Sequence, residues 1–124
     1  MQGRPIKVFN HGQMQRDFTY IDDIVEGVVR VMQHLPAAEN GQPPYALFNI
    51  GNHNPVALLD FIHSIENACG REAVKEYYPM QDGDVPVTYA DTSRLRAAVG
   101  FSPDTPLATG MQAFVDWYRG YHQC

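Results

Sequence analysis

Cysteine, lysine and tryptophan are all scarce in this sequence of 124 residues: two Cys, two Lys (Lys7 and Lys75) and one Trp. Cys69 and Cys124 stand in no metal-ligand spacing and build no disulfide framework, a usage that suits a reducing compartment. No apolar run approaches the roughly 18 residues that a membrane-crossing helix needs. The opening MQGRPIKVFN lacks the apolar core of a secretory signal, so the expectation is a cytoplasmic protein with no membrane partner. Basic residues form no cluster, and nine Lys and Arg against fourteen Asp and Glu leave a net charge of -5. That balance argues against a nucleic-acid partner held by phosphate neutralisation. The common catalytic signatures are missing too: no HExxH, no GxSxG, no P-loop and no GxGxxG fingerprint. Five histidines (His11, His34, His53, His63 and His122) are spaced so that no two share a helical face with a carboxylate.

What is present is the composition of a folded domain. Apolar residues make up 44% and charged residues 19%, close to the globular average. A chain of this size forms one domain and buries roughly two-thirds of its unfolded surface.

The pattern of residues predicts the elements. Residues 6–10 (IKVFN) read as a strand, Gly12 as a turn, and 18–21 (FTYI) as a second strand. Asp23 and Glu26 have capping-box spacing, and Ile24, Val25, Val28, Val29, Met32 and Leu35 continue it as a helix to Leu35, closed by Pro36. Residues 37–44 (AAENGQPP) form a turn-rich loop. The run 45–50 (YALFNI) reads as a strand buried on both faces and short of neighbours within this chain. Asn54 and Pro55 predict a helix start, with Gly70 as its left-handed stop. A strand over 74–78, a helix capped by Asp91 and ending at Gly100, and a last helix from Thr105 and Pro106 complete the chain. Trp117, Tyr118 and Tyr121 read as helix packing. The order β-β-α-β-α-β-α-α predicts an α/β or α+β domain of mixed short strands and helices.

Few residues suggest chemistry. Arg16, in a loop, has the fork geometry for a phosphate or carboxylate, while spacing alone favours a surface pair with Asp17 or Asp22. Asp82 and Asp84 flank Gly83 as in an ordinary Asp-Gly turn, with no further hard ligand at loop spacing to hold a metal. Their carboxylates could also accept from a ribose. Asp22 and Asp23 fit a helix N-terminus better than an acid/base pair. The stretch Asn52, His53, Asn54 follows one apparent strand and opens a helix, where ligands sit in open α/β sheets.

The wording of four stretches carries more. VFNHGQMQRDFTYIDDIVEGVVRVM, FNIGNHNPVALLDFI, PMQDGDVPVTYAD and GFSPDTPLATGMQAFVDWY, in that order, resemble the C-terminal portion of an extended short-chain dehydrogenase/reductase. The group they resemble is the NAD-dependent sugar-nucleotide epimerases, UDP-glucuronate 4-epimerases in particular. The resemblance implies that residues 1–124 form a single substrate-binding region. The NAD-binding Rossmann domain would lie outside this chain, and no NAD would bind to this part alone. It implies a diphosphate grip for Arg16, a uracil-facing strand at Val8 and Phe9, a ribose acceptor at Asp84 and a polar nucleotide neighbour at Asn54. Many relatives carry arginine where this chain has Gln81, which donates a hydrogen bond but brings no charge. The family's Tyr-x-x-x-Lys pair is missing, since Gly3 and Arg71 precede the two lysines at that spacing. No residue is therefore assigned a catalytic, cofactor-binding or metal-ligating role. The implied activity is interconversion of UDP-glucuronate and UDP-galacturonate at C4 by a homo-oligomeric enzyme. The alternatives are a UDP-sugar decarboxylase or dehydratase relative, and a non-catalytic nucleotide-sugar-binding or interaction module.

Overall fold

A computed structural model describes residues 3–38, 41 and 43–123. Its elements, in order, are strand β1 (Ile6–Val8), strand β2 (Gln15–Arg16), helix α1 (Ile21–Met32), strand β3 (Val56–Ala57), helix α2 (Leu58–Cys69), strand β4 (Lys75–Tyr77), helix α3 (Ser93–Val99) and helix α4 (Leu107–His122). The chain divides into two compact units. The first draws on Met1–Arg16, Pro55–Thr88 and Pro106–Cys124, the second on Asp17–Asn54 and Tyr89–Thr105.

In the first unit β1 pairs parallel to β4, with Val8 opposite Tyr77, and β2 pairs antiparallel to β3, with Arg16 opposite Val56. Helix α2 packs on α4. Val8, Met14, Ile62 and Val115 form the buried apolar set of this unit. The apolar spacing of Leu58, Phe61, Ile62 and Ile65 makes α2 amphipathic, and Gly70 ends it at φ 65°. Glu66 is buried on α2, where its carboxylate accepts from the Ala73 N–H at 2.8 Å and pairs with the Lys75 ammonium. His63 Nδ1 lies 3.0 Å from its other oxygen.

In the second unit Leu95 of α3 and Pro103 are fully buried. Helix α1 comes so close to Ile50 and Phe101 that a Cβ on Gly27 would sit 3.1 Å from the Ile50 side chain. Arg30 lies over the Phe101 ring at 4.9 Å.

The order of elements matches the sequence expectation, but several of them occupy other residues. Residues 18–20 are not a strand. The pairing falls at Gln15 and Arg16, where Val56 and Ala57 supply a ladder partner, and helix α1 takes Ile21. Asp23 caps nothing: its carboxylate leaves the helix end and accepts from the Thr105 N–H at 3.1 Å. The stretch 45–50 forms no ladder among the described residues. Tyr45 and Leu47 are exposed while Phe48 and Ile50 are half-buried, so one side of the run is open rather than both closed. Helix α2 begins at Leu58 instead of Pro55, because Val56 and Ala57 are drawn into the pair with β2. Of the three aromatic residues read as helix packing on α4, Tyr118 is half-buried, whereas Trp117 and Tyr121 lie open. Phe114, Trp117 and Tyr121 are each at least half exposed and stack on one another, Trp117 on Tyr121 at 5.4 Å. Within the loop expected at 37–44, residues 39, 40 and 42 lie outside the described residues, as does Cys124.

Candidate functional site

Five of the six sequence-named residues fall in the first unit: Val8, Phe9, Arg16, Gln81 and Asp84. Asn54 belongs to the second unit, where it is exposed and its backbone N–H donates to Asp17 at 3.4 Å.

Val8 ends β1 with its side chain 1% exposed, and its carbonyl accepts from the Tyr78 N–H at 2.9 Å. One lone pair of that oxygen is thereby engaged, and the buried side chain contributes packing. The chain then turns sharply through Asn10 and His11, both at positive φ, and Gly12 at φ 80°. At Gly12 a Cβ would meet the Leu59 side chain at 2.8 Å, so both the backbone angle and the space require glycine. The Phe9 ring lies 5.7 Å from that of Tyr78, whose phenol donates to Glu76 at 3.1 Å. This hydrogen bond, with the negative charge behind it, pushes the phenol pKa up. Tyr78 is a neighbour of the site that sequence reading missed; only its place at the end of a strand could have pointed to it.

The Arg16 side chain departs from the expected pair with Asp17 or Asp22. Its Nη2 donates to Asp84 Oδ1 at 2.7 Å, and its Nη1 donates to the carbonyls of Gln15 at 2.8 Å and Pro86 at 3.3 Å. A guanidinium has five N–H donors. Three are engaged, leaving Nε and one hydrogen of Nη2 without a protein acceptor among the described residues. Both partners remain partly open, at 24% and 31% side-chain exposure, so solvent and solutes reach the pair.

Asp84 is placed by a turn. The Asp84 N–H donates to the Gln81 carbonyl at 3.3 Å, and Gly83 supplies the φ of 81° that the turn demands. Gln81 opens the turn with its side chain exposed, and Asp82 lies exposed at the tip. No group of three His, Cys, Asp or Glu among the described residues could hold a metal ion.

A second carboxylate escaped the sequence reading. Asp17 accepts from the backbone N–H groups of His53 and Ala90, both at 3.1 Å, as well as from Asn54. It ties the loop after Gly51 to the chain at Ala90, and it holds His53 at a φ of 47°, a conformation that non-glycine residues adopt uncommonly. The adjacent Arg16 drew attention to Asp17 only as an ion-pair partner. Nothing in local spacing reveals acceptor bonds to residues more than thirty positions away.

The model of the NAD dependent epimerase/dehydratase family matches residues 1–51. Protein CapI of Staphylococcus aureus is 44% identical over 130 residues, which are 95% of this chain and 39% of that protein. A probable UDP-glucuronate 4-epimerase of Rhizobium meliloti (strain 1021) is 40% identical over 129 residues, 94% of this chain and 38% of the relative. Among solved structures, UDP-glucuronic acid 4-epimerase from Bacillus cereus in complex with UDP-glucuronic acid and NAD superposes with a TM-score of 0.81 at 28% identity. The match covers 97% of this chain and 37% of that one. The chain thus spans about two fifths of the length of the curated relatives it matches.

Proposed function

We propose, from the chain's similarity to NAD dependent epimerase/dehydratase relatives over part of their length, that these residues are the C-terminal, substrate-binding portion of an extended short-chain dehydrogenase/reductase of the sugar-nucleotide epimerase group and grip the nucleotide diphosphate of a UDP-sugar. In this reading the longer enzyme interconverts UDP-glucuronate and UDP-galacturonate at C4 with NAD. The observation that carries it is Arg16, a half-open guanidinium held at three points, beside the Asp84 carboxylate; among the described residues two of its N–H donors and one oxygen of that carboxylate have no protein partner. A diphosphate suits the two remaining donors, since paired N–H groups match phosphate oxygens. The Asp84 Oδ2 suits a ribose hydroxyl. Gln81 adds a neutral donor at the rim, and Phe9 offers a ring edge towards a base.

The chain's own residues do not fit NAD. It carries neither a glycine-rich phosphate loop nor a Tyr-x-x-x-Lys pair, in this reading the property of a Rossmann domain outside these residues, and no chemical step is assigned to them. Their part is to bind and orient.

The test is turnover by the longer enzyme. Supplied with NAD and a panel of UDP-sugars, it should convert UDP-glucuronate to UDP-galacturonate without loss of carbon dioxide. Release of carbon dioxide would make it a decarboxylase, and binding of UDP without turnover of any sugar would favour a non-catalytic module. Calorimetry of residues 1–124 with NAD should show no saturable heat.

A further inference from the structure

Asp84 stands where it could do either of two opposite things to an anion bound at Arg16. Its negative charge repels the anion and competes for the guanidinium. Its hydrogen bond also fixes the direction in which the guanidinium faces. The geometry separates these roles. Asp84 Oδ1 is anchored to its own chain by the Val85 N–H at 2.8 Å while it accepts from Arg16 Nη2 at 2.7 Å, so the carboxylate is held and does not swing as a free competitor would. The Nη1 end is held by the Gln15 and Pro86 carbonyls, and those carbonyls are themselves pinned: the Gln15 N–H donates to Pro86 O at 2.8 Å and the Thr88 N–H to Gln15 O at 3.2 Å. An arginine on an open surface samples many rotamers and must lose that freedom on binding. Here the loss is met within the fold.

We propose that Asp84 is a positioning residue for Arg16, orienting the guanidinium so that Nε and the second Nη2 hydrogen face a diphosphate. The inference rests on reading this site as a nucleoside diphosphate grip and adds to it that ribose and diphosphate are recognised through one coupled pair. A carboxylate that served only the ribose would leave the phosphate contact unchanged, or strengthen it when removed.

Inorganic pyrophosphate, which has no ribose, distinguishes these cases. The intact protein and its Asp84→Ala and Arg16→Ala variants are titrated calorimetrically with pyrophosphate and with UDP. Asp84 lies in a partly exposed turn, which tolerates alanine. Positioning predicts that Asp84→Ala weakens pyrophosphate binding about tenfold, the order of one charge-assisted hydrogen bond, even though a negative charge has been removed. It also predicts that Asp84→Ala adds no further loss once Arg16 is alanine. Asp84→Asn, whose side-chain oxygen can still accept from Nη2, should recover most of the affinity. Equal or tighter pyrophosphate binding by Asp84→Ala overturns the inference, and if UDP binding falls alone, Asp84 serves the ribose only and the reading of the site stands. If the unmodified protein binds neither ligand, that reading fails and this inference with it.

Discussion

Arg16 and Asp84 are 68 positions apart in the chain and 2.7 Å apart in the fold, joined as an ion pair in the same unit that buries Val8. One partner leaves β2 and the other a glycine turn. Each is also bonded to backbone, Arg16 to the Gln15 and Pro86 carbonyls and Asp84 to the Val85 N–H, so the pair is a constructed feature and not a chance meeting of two surface charges.

If Arg16 grips the diphosphate, Arg16→Ala in the intact protein should weaken UDP-sugar binding by about 1.5–3 kcal/mol, the usual worth of a hydrogen bond to a charged group. Arg16→Lys should recover only part of this, because a point charge cannot reproduce two parallel N–H contacts. Calorimetry measures both. Unchanged affinity in the alanine variant would return Arg16 to the role of a structural ion-pair partner.

Asp17 should matter for stability. Asp17→Ala removes the acceptor of three backbone N–H groups and should cost about 2–3 kcal/mol in urea unfolding. The same corner has no room for a methyl group at Gly51, where a Cβ would lie 2.4 Å from the Ala90 Cβ and 3.0 Å from Asp17 Oδ2. Gly51→Ala should therefore cost about 1–3 kcal/mol as overpacking. The double variant Gly51→Ala with Ala90→Gly should regain part of that loss. Independent, additive effects of the two substitutions would show that the contact is not what makes Gly51 necessary.

Stability should fall at both ends of the pH scale, for reasons centred on Glu66. The Lys75 ammonium, then the Ala73 N–H, hold the Glu66 carboxyl below its ordinary value, and the Ser93 N–H does the same for Asp91. A lowered carboxylate contributes stability that is present above its unfolded pKa and lost as pH falls through the folded one. Lys75 is raised, chiefly by its hydrogen bond to Glu66, so its contribution is present below the ordinary lysine value and lost as pH climbs through the raised one. Tyr78 adds to the alkaline limb in the same sense. Urea midpoints measured across pH should show a neutral plateau with two limbs, and Glu66→Gln should flatten both. A variant that altered the acid limb alone would mean that Lys75 does not depend on Glu66.

Residues 1–124, expressed by themselves, should self-associate. Helix α1 turns Ile21, Val25, Val28, Val29 and Met32 outward at i, i+4, i+7, i+8 and i+11, a single apolar stripe in which every residue is at least 44% exposed. Tyr45 and Leu47 are open as well, at 76% and 61%. Apolar surface gathered in this way favours association. Sedimentation at several concentrations should show dimers or larger species, and Val25→Lys with Met32→Lys should shift them towards monomer. A monomer at every concentration would mean that the stripe is tolerated in water.

Much of this protein was legible locally. Periodic apolar residues placed α1, α2 and α4 to within a few residues, and glycines marked the helix ends at Gly70 and Gly100, because helical spacing and left-handed stops are properties of neighbours in the chain. The Asp-Gly turn at 81–84 was legible for the same reason. The strands were not. FTYI and YALFNI have the composition of strands yet form none, while Gln15, Arg16, Val56 and Ala57 pair without any such composition. A ladder requires a partner at the right distance, which only the tertiary structure supplies. Charge followed the same rule. The sequence determined that Arg16, Asp17, Asp23 and Asp84 are ionisable side chains on turns and helix starts. Only the fold decided that Arg16 meets Asp84, that Asp17 holds His53, Asn54 and Ala90, and that Asp23 meets Thr105, since each of these partners is more than thirty residues away.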